Sequence, residues 1–234
     1  MRNDSPQRKV VAIAQARMGS ARLPNKMMLH LHGFPIVEWV YRRASKASTI
    51  DALVFAIPDT PADDALAIQL LRAGATIFRG SENDVLSRFY LAAMEHGATD
   101  VMRICCDNPL VSPLELDNLV NFYSSVRCDY AYNHIPRGNS YPDGLGAEIS
   151  SFAVLETMFK EAVLPSHREH VFNFLWENQE RFVTATFNPP DVRLQRPDIR
   201  LDVDTEEDYC RLLQMDITPE LDGAEIMCLF GERQ

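Results

Sequence analysis

The chain alternates short apolar runs with longer segments whose apolar residues recur every three or four positions. VVAIAQA (10–16), ALVFAI (52–57), ATIFRG (75–80) and DVMRICC (100–106) are runs of mostly apolar residues without alternation, the pattern of strands buried on both faces. Between and after them, PIVEWVYRRASKAS (35–48), ADDALAIQLLRAG (62–74), SENDVLSRFYLAAMEHG (81–97) and SPLELDNLVNFYSS (112–125) read as helices. In the first of these, Ile36, Val40 and Ala44 share a face. Gly74 and Gly97 stand where helices end, Ser81 and Ser112 where they begin, and Pro113 occupies a first helical position. Strands alternating with such helices predict βαβ units, an α/β class and a mainly parallel sheet covered on both sides.

The pattern loosens after residue 125. CDYAYNHI (128–135) and RFVTATF (181–187) read as strands, and NSYPDGLGAEISS (139–151) as turns leading into a short strand. Helical patterns cover 152–163 and 166–178. Residues 188–205 hold Pro189, Pro190 and Pro197 and two short strand-like pieces. TEEDYCRLLQM (205–215) is a helix capped by Thr205, with Glu206, Glu207 and Asp208 at its positive end. No linker or repeat separates two halves, so the sequence predicts one domain over 1–234 with an irregular region around 128–200.

Composition narrows the function classes. The chain has 23 Lys+Arg against 33 Asp+Glu, 23 − 33 = −10, which argues against nucleic acid as the main partner. No apolar run reaches the ~18 residues of a membrane span, and MRNDSPQRK is too polar to begin a leader, so a cytoplasmic protein is expected. Five cysteines (105, 106, 128, 210 and 228) form no CxxC pair and read as reduced thiols. His167 and His170 lack a nearby cysteine pair, so zinc is a poor reading.

Against that acidic background, no Asp or Glu occurs between Asp4 and Glu38, while Arg8, Lys9, Arg17, Arg22 and Lys26 do. QARMGSARLPNK (15–26) therefore forms a cationic loop after the first strand, on the rim where open parallel sheets bind ligands. Gly19 allows close backbone approach to phosphate oxygens, and Arg17, Arg22 and Lys26 are suited to neutralise a polyphosphate. Neither GxxxxGK[ST] nor GxGxxG is present, and a solvated basic loop is the alternative. Asp107 follows a strand and Asp204 precedes Thr205, both strand-end positions. A carboxylate there either holds a hard cation such as Mg2+ or serves a turn or helix start. Asp202 and Asp204 alternate, so only one of them faces a given site.

QARMGSARLPNK, IFRGSENDVLSR, the Asp-x-Pro-Leu of DNPL and the late VDTEEDY together resemble the cytidylyltransferases that activate acidic sugars, the acylneuraminate and 3-deoxy-manno-octulosonate enzymes. YPDGLGAEISS (141–151) and HREHV (167–171) are most similar to the branch of spore coat polysaccharide biosynthesis protein F. The resemblance spans roughly residues 9 to 215. It implies a Rossmann-like three-layer α/β/α nucleotidyltransferase (nucleotide-diphospho-sugar transferase) fold, usually a homodimer, using CTP, Mg2+ and a keto-acid sugar for surface polysaccharide or glycan synthesis. It matches Arg17, Gly19, Ser20, Arg22 and Lys26 to a triphosphate loop, Ala16 to base contacts, and Arg79, Gly80 and Ser81 to base and ribose. It matches Asp107 and Asp204 to metal ligands, and Tyr141, Asp143, Glu148, His167, Arg168, Glu169 and His170 to the sugar side. It makes Arg17, Lys26, Asp107 and Asp204 the catalytic set, and Asp204, Asp202 and His170 are the candidates for general base.

Three positions depart from the family pattern. Cys106 and Asn25 stand where glycine is common, and Ala21 where threonine is frequent. A cysteine at positive φ would be strained, whereas asparagine tolerates it. Asp202-Val203-Asp204 also has the Asp-x-Asp form of a metal-dependent glycosyltransferase, and a non-catalytic nucleotide-sugar-binding protein is a second alternative. Residues 218–234 match none of these motifs and read as a dimer contact or as core.

Overall fold

The computed structural model describes residues 8–231. The polar start through Gln7 and the last three residues of the 218–234 segment lie outside the described residues. In chain order the elements are β1 (Val10–Gln15), a small hairpin of β2 (His30–Leu31) and β3 (Phe34–Pro35), α1 (Ile36–Ala44), β4 (Ala52–Pro58), α2 (Asp64–Ala73), β5 (Thr76–Gly80), α3 (Val85–Glu95) and β6 (Asp100–Cys105). Then follow α4 (Pro113–Ser125), β7 (Tyr130–Tyr132), β8 (Glu148–Ser151), α5 (Phe152–Glu161), α6 (Pro165–Glu169), α7 (Asn173–Glu177), β9 (Thr184–Thr186), α8 (Glu206–Leu213) and α9 (Gly223–Cys228).

Seven strands form one sheet in the order β5-β4-β1-β6-β8-β7-β9. β5, β4, β1 and β6 are parallel neighbours, and β9 runs parallel to β7. β8 is antiparallel to both β6 and β7. Alternate residues of one strand enter different cores, as continuous apolar strands require. From β1, Val10, Ala12 and Ala14 join one buried cluster with α1, α2, α4 and α9, while Val11 and Ile13 join another with α3, α5 and α7. The result is a three-layer, Rossmann-like α/β/α fold. Each large side chain so buried contributes roughly 1.5–3 kcal/mol.

Local signals hold in several places. Gly74 closes α2 in the left-handed region at φ 89°. Thr205 caps α8 through a reciprocal capping box with Asp208. Four expectations are corrected. The helix expected over 81–97 begins at Val85 and is capped by Asp84, whose side chain accepts from the Ser87 amide. Ser81 instead accepts the Asp84 amide at 3.1 Å, forming the turn that precedes the cap. Residues 166–178 break into α6 and α7. The strand-like pieces of 188–205 form only a 3-10 turn, Val192–Leu194, and a single bridge between Asp143 and Arg200.

The segment after residue 218 packs into the core, with Ala224, Ile226 and Met227 buried. Arg43, fully enclosed in α1, holds it there. Its Nε donates to the Val111 carbonyl at 2.8 Å, and its Nη1 donates to Pro219 and Leu221 carbonyls at 3.2 and 2.8 Å. Among the described residues no helix is long and apolar enough to cross a membrane, and all five cysteines are unpaired.

Candidate active site

The strand order places β4 on one side of β1 and β6 on the other. Such a reversal opens a crevice at the strands' carboxyl ends, and a cavity of about 350 Å3 lies there. Gln15 stands abreast of Ala56 in β4 and Cys105 in β6. The loop from Ala16 and the turn at Cys106–Asp107 therefore leave the sheet side by side.

Backbone bonds shape that loop. The Met18 amide donates to Asp63 Oδ1 at 2.8 Å, the Leu23 amide to Ser20 Oγ at 3.3 Å, and the Lys26 amide to the Leu23 carbonyl at 3.2 Å. Asn25 sits at φ 56°, a left-handed turn its short polar side chain tolerates. Lys26 then opens a 3-10 turn and is buried. Gly19 faces open space.

The two carboxylate segments are stitched together by the Val203 amide, which donates to the Asp107 carbonyl at 2.8 Å. Gly144, at φ 88°, lets a third loop close in; a Cβ there would lie 3.0 Å from the Asp202 amide and 3.2 Å from Asn108 Oδ1. Lys26 Nζ consequently stands between Asp107 Oδ2, at 3.5 Å, and Asp204 Oδ1, at 3.2 Å. Arg22 Nη1 is 2.9 Å from Asp204 Oδ2, and Arg17 Nη2 is 3.8 Å from Glu169 Oε1. The walls carry five cations (Arg17, Arg22, Lys26, Arg88 and Arg103) against three carboxylates (Asp107, Glu169 and Asp204), a surplus suited to an anion. Two carboxylates around an ammonium also fit a hard divalent cation that takes its other oxygens from phosphate and water. Among the described residues no set of three or more His, Cys, Asp or Glu gathers for a metal.

The cavity brings together Ala16, Arg17, Gly19, Ser20, Arg22, Lys26, Asp107, Glu169, His170 and Asp204. Other expected residues lie elsewhere. Arg79 is bound to Asp59 at 3.2 Å, Asp64 at 2.6 Å and the Thr60 carbonyl at 2.7 Å, and neither it nor Gly80 nor Ser81 lines the wall. Tyr141 is interior and donates to Glu115 Oε2 at 2.5 Å. His167 is buried with Nε2 2.7 Å from Glu177 Oε2, and Arg168 is paired with Asp84. Asp143 sits 3.9 Å from Arg200 Nε, outside the wall. Burial first, and Asp202 next, push its carboxyl up to about 6, with Arg200 opposing. Asp202 is paired with Arg200 Nη2 at 2.5 Å and is not on the wall, so the Asp-x-Asp stretch presents only Asp204 to the cavity. The strain feared at Cys106 does not arise: among the described non-glycine residues only Asn25 and His32 have positive φ.

A comparison with family models matches the cytidylyltransferase family over residues 11–225. The chain belongs to the cytidylyltransferase family. It is 30% identical over 205 residues to the spore coat polysaccharide biosynthesis protein SpsF of Bacillus subtilis, covering 86% of this chain and 83% of that one. Its fold is similar to a cytidylyltransferase from Leptospira borgpetersenii, with TM-score 0.84, 28% identity, and coverage of 94% and 92% of the two chains. It is also similar in fold to a CMP:2-keto-3-deoxy-manno-octonic acid synthetase complexed with CTP, with TM-score 0.64, 17% identity, and coverage of 88% and 99%.

Two cations of the cavity were not singled out in the sequence of this cytidylyltransferase: Arg103, outside its motifs, and Arg88, the last residue of IFRGSENDVLSR. Arg103 lies in β6, directly across from Glu148 in β8. Its Nη1 is paired with Glu148, which also accepts from the Tyr130 hydroxyl, and its Nε donates to Gln15 Oε1 at 3.1 Å. Burial opposes the Arg103 charge, but the paired Glu148 carboxylate helps hold the guanidinium above its ordinary range. The second is Arg88, in the first turn of α3. A lone cation inside an apolar run was the sequence signal for Arg103, and the end of the IFRGSENDVLSR motif that for Arg88.

Proposed function

We propose that this cytidylyltransferase moves CMP from CTP to an acidic, keto-acid sugar and releases pyrophosphate, in the synthesis of a surface polysaccharide or glycan. The observation that carries the reading is the meeting of Arg17, Arg22 and Lys26 with Asp107 and Asp204 in one cavity of a chain of this family. The likeness to SpsF supports a polysaccharide, and the likeness over about half of this chain to 3-deoxy-manno-octulosonate cytidylyltransferases supports the acidic sugar.

Arg17, Arg22 and Lys26 take the β and γ phosphates and stabilise the charge that grows on pyrophosphate as it leaves. Asp107 and Asp204 would hold a divalent cation such as Mg2+, which would supply Lewis-acid charge to the phosphates. The anomeric hydroxyl attacks the α phosphorus in line, and its oxygen–phosphorus bond forms as the bond to pyrophosphate breaks. Its proton passes to His170: Asp202 is held by Arg200 and Asp204 by Lys26 and Arg22, which leaves the imidazole on the wall. Catalysis rests on positioning and charge stabilisation.

Pyrophosphate release over a matrix of four nucleotides and several acidic sugars tests the reading. Folded Asp107→Ala and Arg17→Ala variants are expected to lose roughly 100-fold or more in turnover. Near-normal release in both would sink the assignment, and a nucleoside diphosphate product would mark a glycosyltransferase instead.

A further inference from the structure

Arg88 is the most enclosed cation of the cavity, 2% exposed. Its Nη1 donates to the Ser81 carbonyl, and its Nε has no partner. The carboxylates that act on it through space are engaged elsewhere or exposed. Asp63 accepts from the Met18 amide and the Thr60 hydroxyl, Asp84 from the Ser87 amide and Arg168, and Glu82 lies on the surface. Burial first, and the neighbouring Arg17 second, lower its pKa to about 10.

Folding ordinarily pairs a buried charge or surrounds it with acceptors. The other enclosed arginines are better satisfied: Arg103 faces Glu148, and Arg43, though its Nη2 also lacks a partner, donates to three carbonyls and has Glu220 and Asp222 nearby. Arg88 has one carbonyl and a second cation beside it. Its stem is held against Gly80, where an added Cβ would lie 3.1 Å from Arg88 Cγ.

We propose that Arg88 is an anion-binding residue of the nucleotide site, its guanidinium joining Arg17 in receiving a phosphate of bound CTP. This rests on the CTP reading of the cavity. A phosphate oxygen supplies both an acceptor and the missing counter-charge, in a charge-assisted bond. A base carbonyl would supply the acceptor and leave the charge uncompensated, which is why the phosphate is favoured. Arg17 is available to share the phosphate because its contact with Glu169, at 3.8 Å between half-exposed side chains, is weak.

Arg88→Met and Arg88→Lys, with the wild type, are compared by calorimetric titration with CTP, CMP and cytidine and by thermal melting without ligand. Arg88→Met fills similar space and removes an unpaired buried charge. The melting temperature of its free form is expected to stay level or rise, as when buried ionic groups give way to apolar ones. Its CTP affinity is expected to fall roughly 10- to 100-fold, the scale of a charge-assisted hydrogen bond, with cytidine binding unchanged and Arg88→Lys intermediate. Wild-type CTP affinity in Arg88→Met overturns the proposal. So does an equal loss for cytidine and CTP, which would make Arg88 a reader of the base. A lowered melting temperature with proportional loss on every ligand overturns it in favour of a structural role. A wild type that binds no CTP overturns the CTP reading itself, and that result does not depend on any Arg88 variant.

Discussion

Lys26 neutralises Asp107 and Asp204 and, in the proposed mechanism, also binds phosphate, and replacing it with methionine separates the two roles. Methionine keeps much of the stem and loses the charge. At an effective dielectric near 20, an ammonium 3.2 and 3.5 Å from two carboxylates gains roughly 5 kcal/mol from each before solvation is counted. Asp107 is 34% exposed, so water returns most of this, and about 1 kcal/mol per pair is the realistic scale. Removing Lys26 leaves the carboxylates with Arg22 on Asp204 and more distant charges such as Arg200. A divalent cation no longer competes with Nζ, and about 2 kcal/mol of released competition corresponds to roughly 30-fold tighter binding. CTP, in contrast, loses a charge-assisted contact and weakens by about tenfold or more. Mn2+ titrated into nucleotide-free protein, with the free ion followed by electron paramagnetic resonance, reads the first effect; calorimetry with CTP reads the second. Mn2+ affinity in Lys26→Met equal to or below the wild type would refute the idea that Asp107 and Asp204 form one cation site.

Two pH-dependent predictions concern stability. Burial opposes the Glu148 charge, but Arg103 outweighs it and holds the carboxyl below its usual 4.5, so its stabilisation is present above that pH and lost as pH falls through the lower folded value. Glu148→Gln leaves Arg103 without its counter-charge and should destabilise by about 3–5 kcal/mol at pH 7; a urea-midpoint deficit that did not shrink in acid would contradict this. Asp143 has the opposite sign: its folded value of about 6 lies above the ordinary 3.8, so ionisation opposes folding as pH rises through that window. Asp143→Asn should exceed the wild type by about 1–2 kcal/mol at pH 8, after discounting for partial exposure. The two should converge toward pH 4, and melting curves with a pH-independent difference would contradict the assignment.

The sheet's centre was legible because β1, β4, β5 and β6 are buried on both faces, and continuous apolar runs report that directly. The start of α3 was not, because Ser81 and Asp84 are both cap-forming residues and sequence does not say which one meets the helix. Residues 200–204 look like a strand, yet the one backbone bridge available to them is to Asp143, so they run extended without joining the sheet. In the site, the loop cations and Asp107 were readable because topology brings strand ends together; Asp204 reaches the same rim through the bond from the Val203 amide to the Asp107 carbonyl. Arg103 was not, since its partner Glu148 is 45 residues away and periodicity carries no such information. Tyr141 and His167 show the converse: a motif names a residue without saying which way its side chain points, and these two point inward, to Glu115 and Glu177.

The cationic loop of an acidic chain acquires a physical meaning at the cavity. Without ligand, Arg17, Arg22 and Lys26 are each paired with a carboxylate: Glu169, Asp204, and Asp107 with Asp204. On the proposed reading, binding a polyphosphate and a divalent cation would exchange partners instead of creating new charge: cations would turn to phosphate, and the freed carboxylates to metal. Each ligand removes an obstacle to the other, so nucleotide and metal affinities should be coupled beyond the formation of their complex in solution. Arg88 stands outside the exchange because it has no ion pair to surrender. Whatever it gains from a phosphate is not offset by a broken contact, which is why its substitution separates nucleotide affinity from the stability of the free protein more cleanly than substitution of the loop cations can.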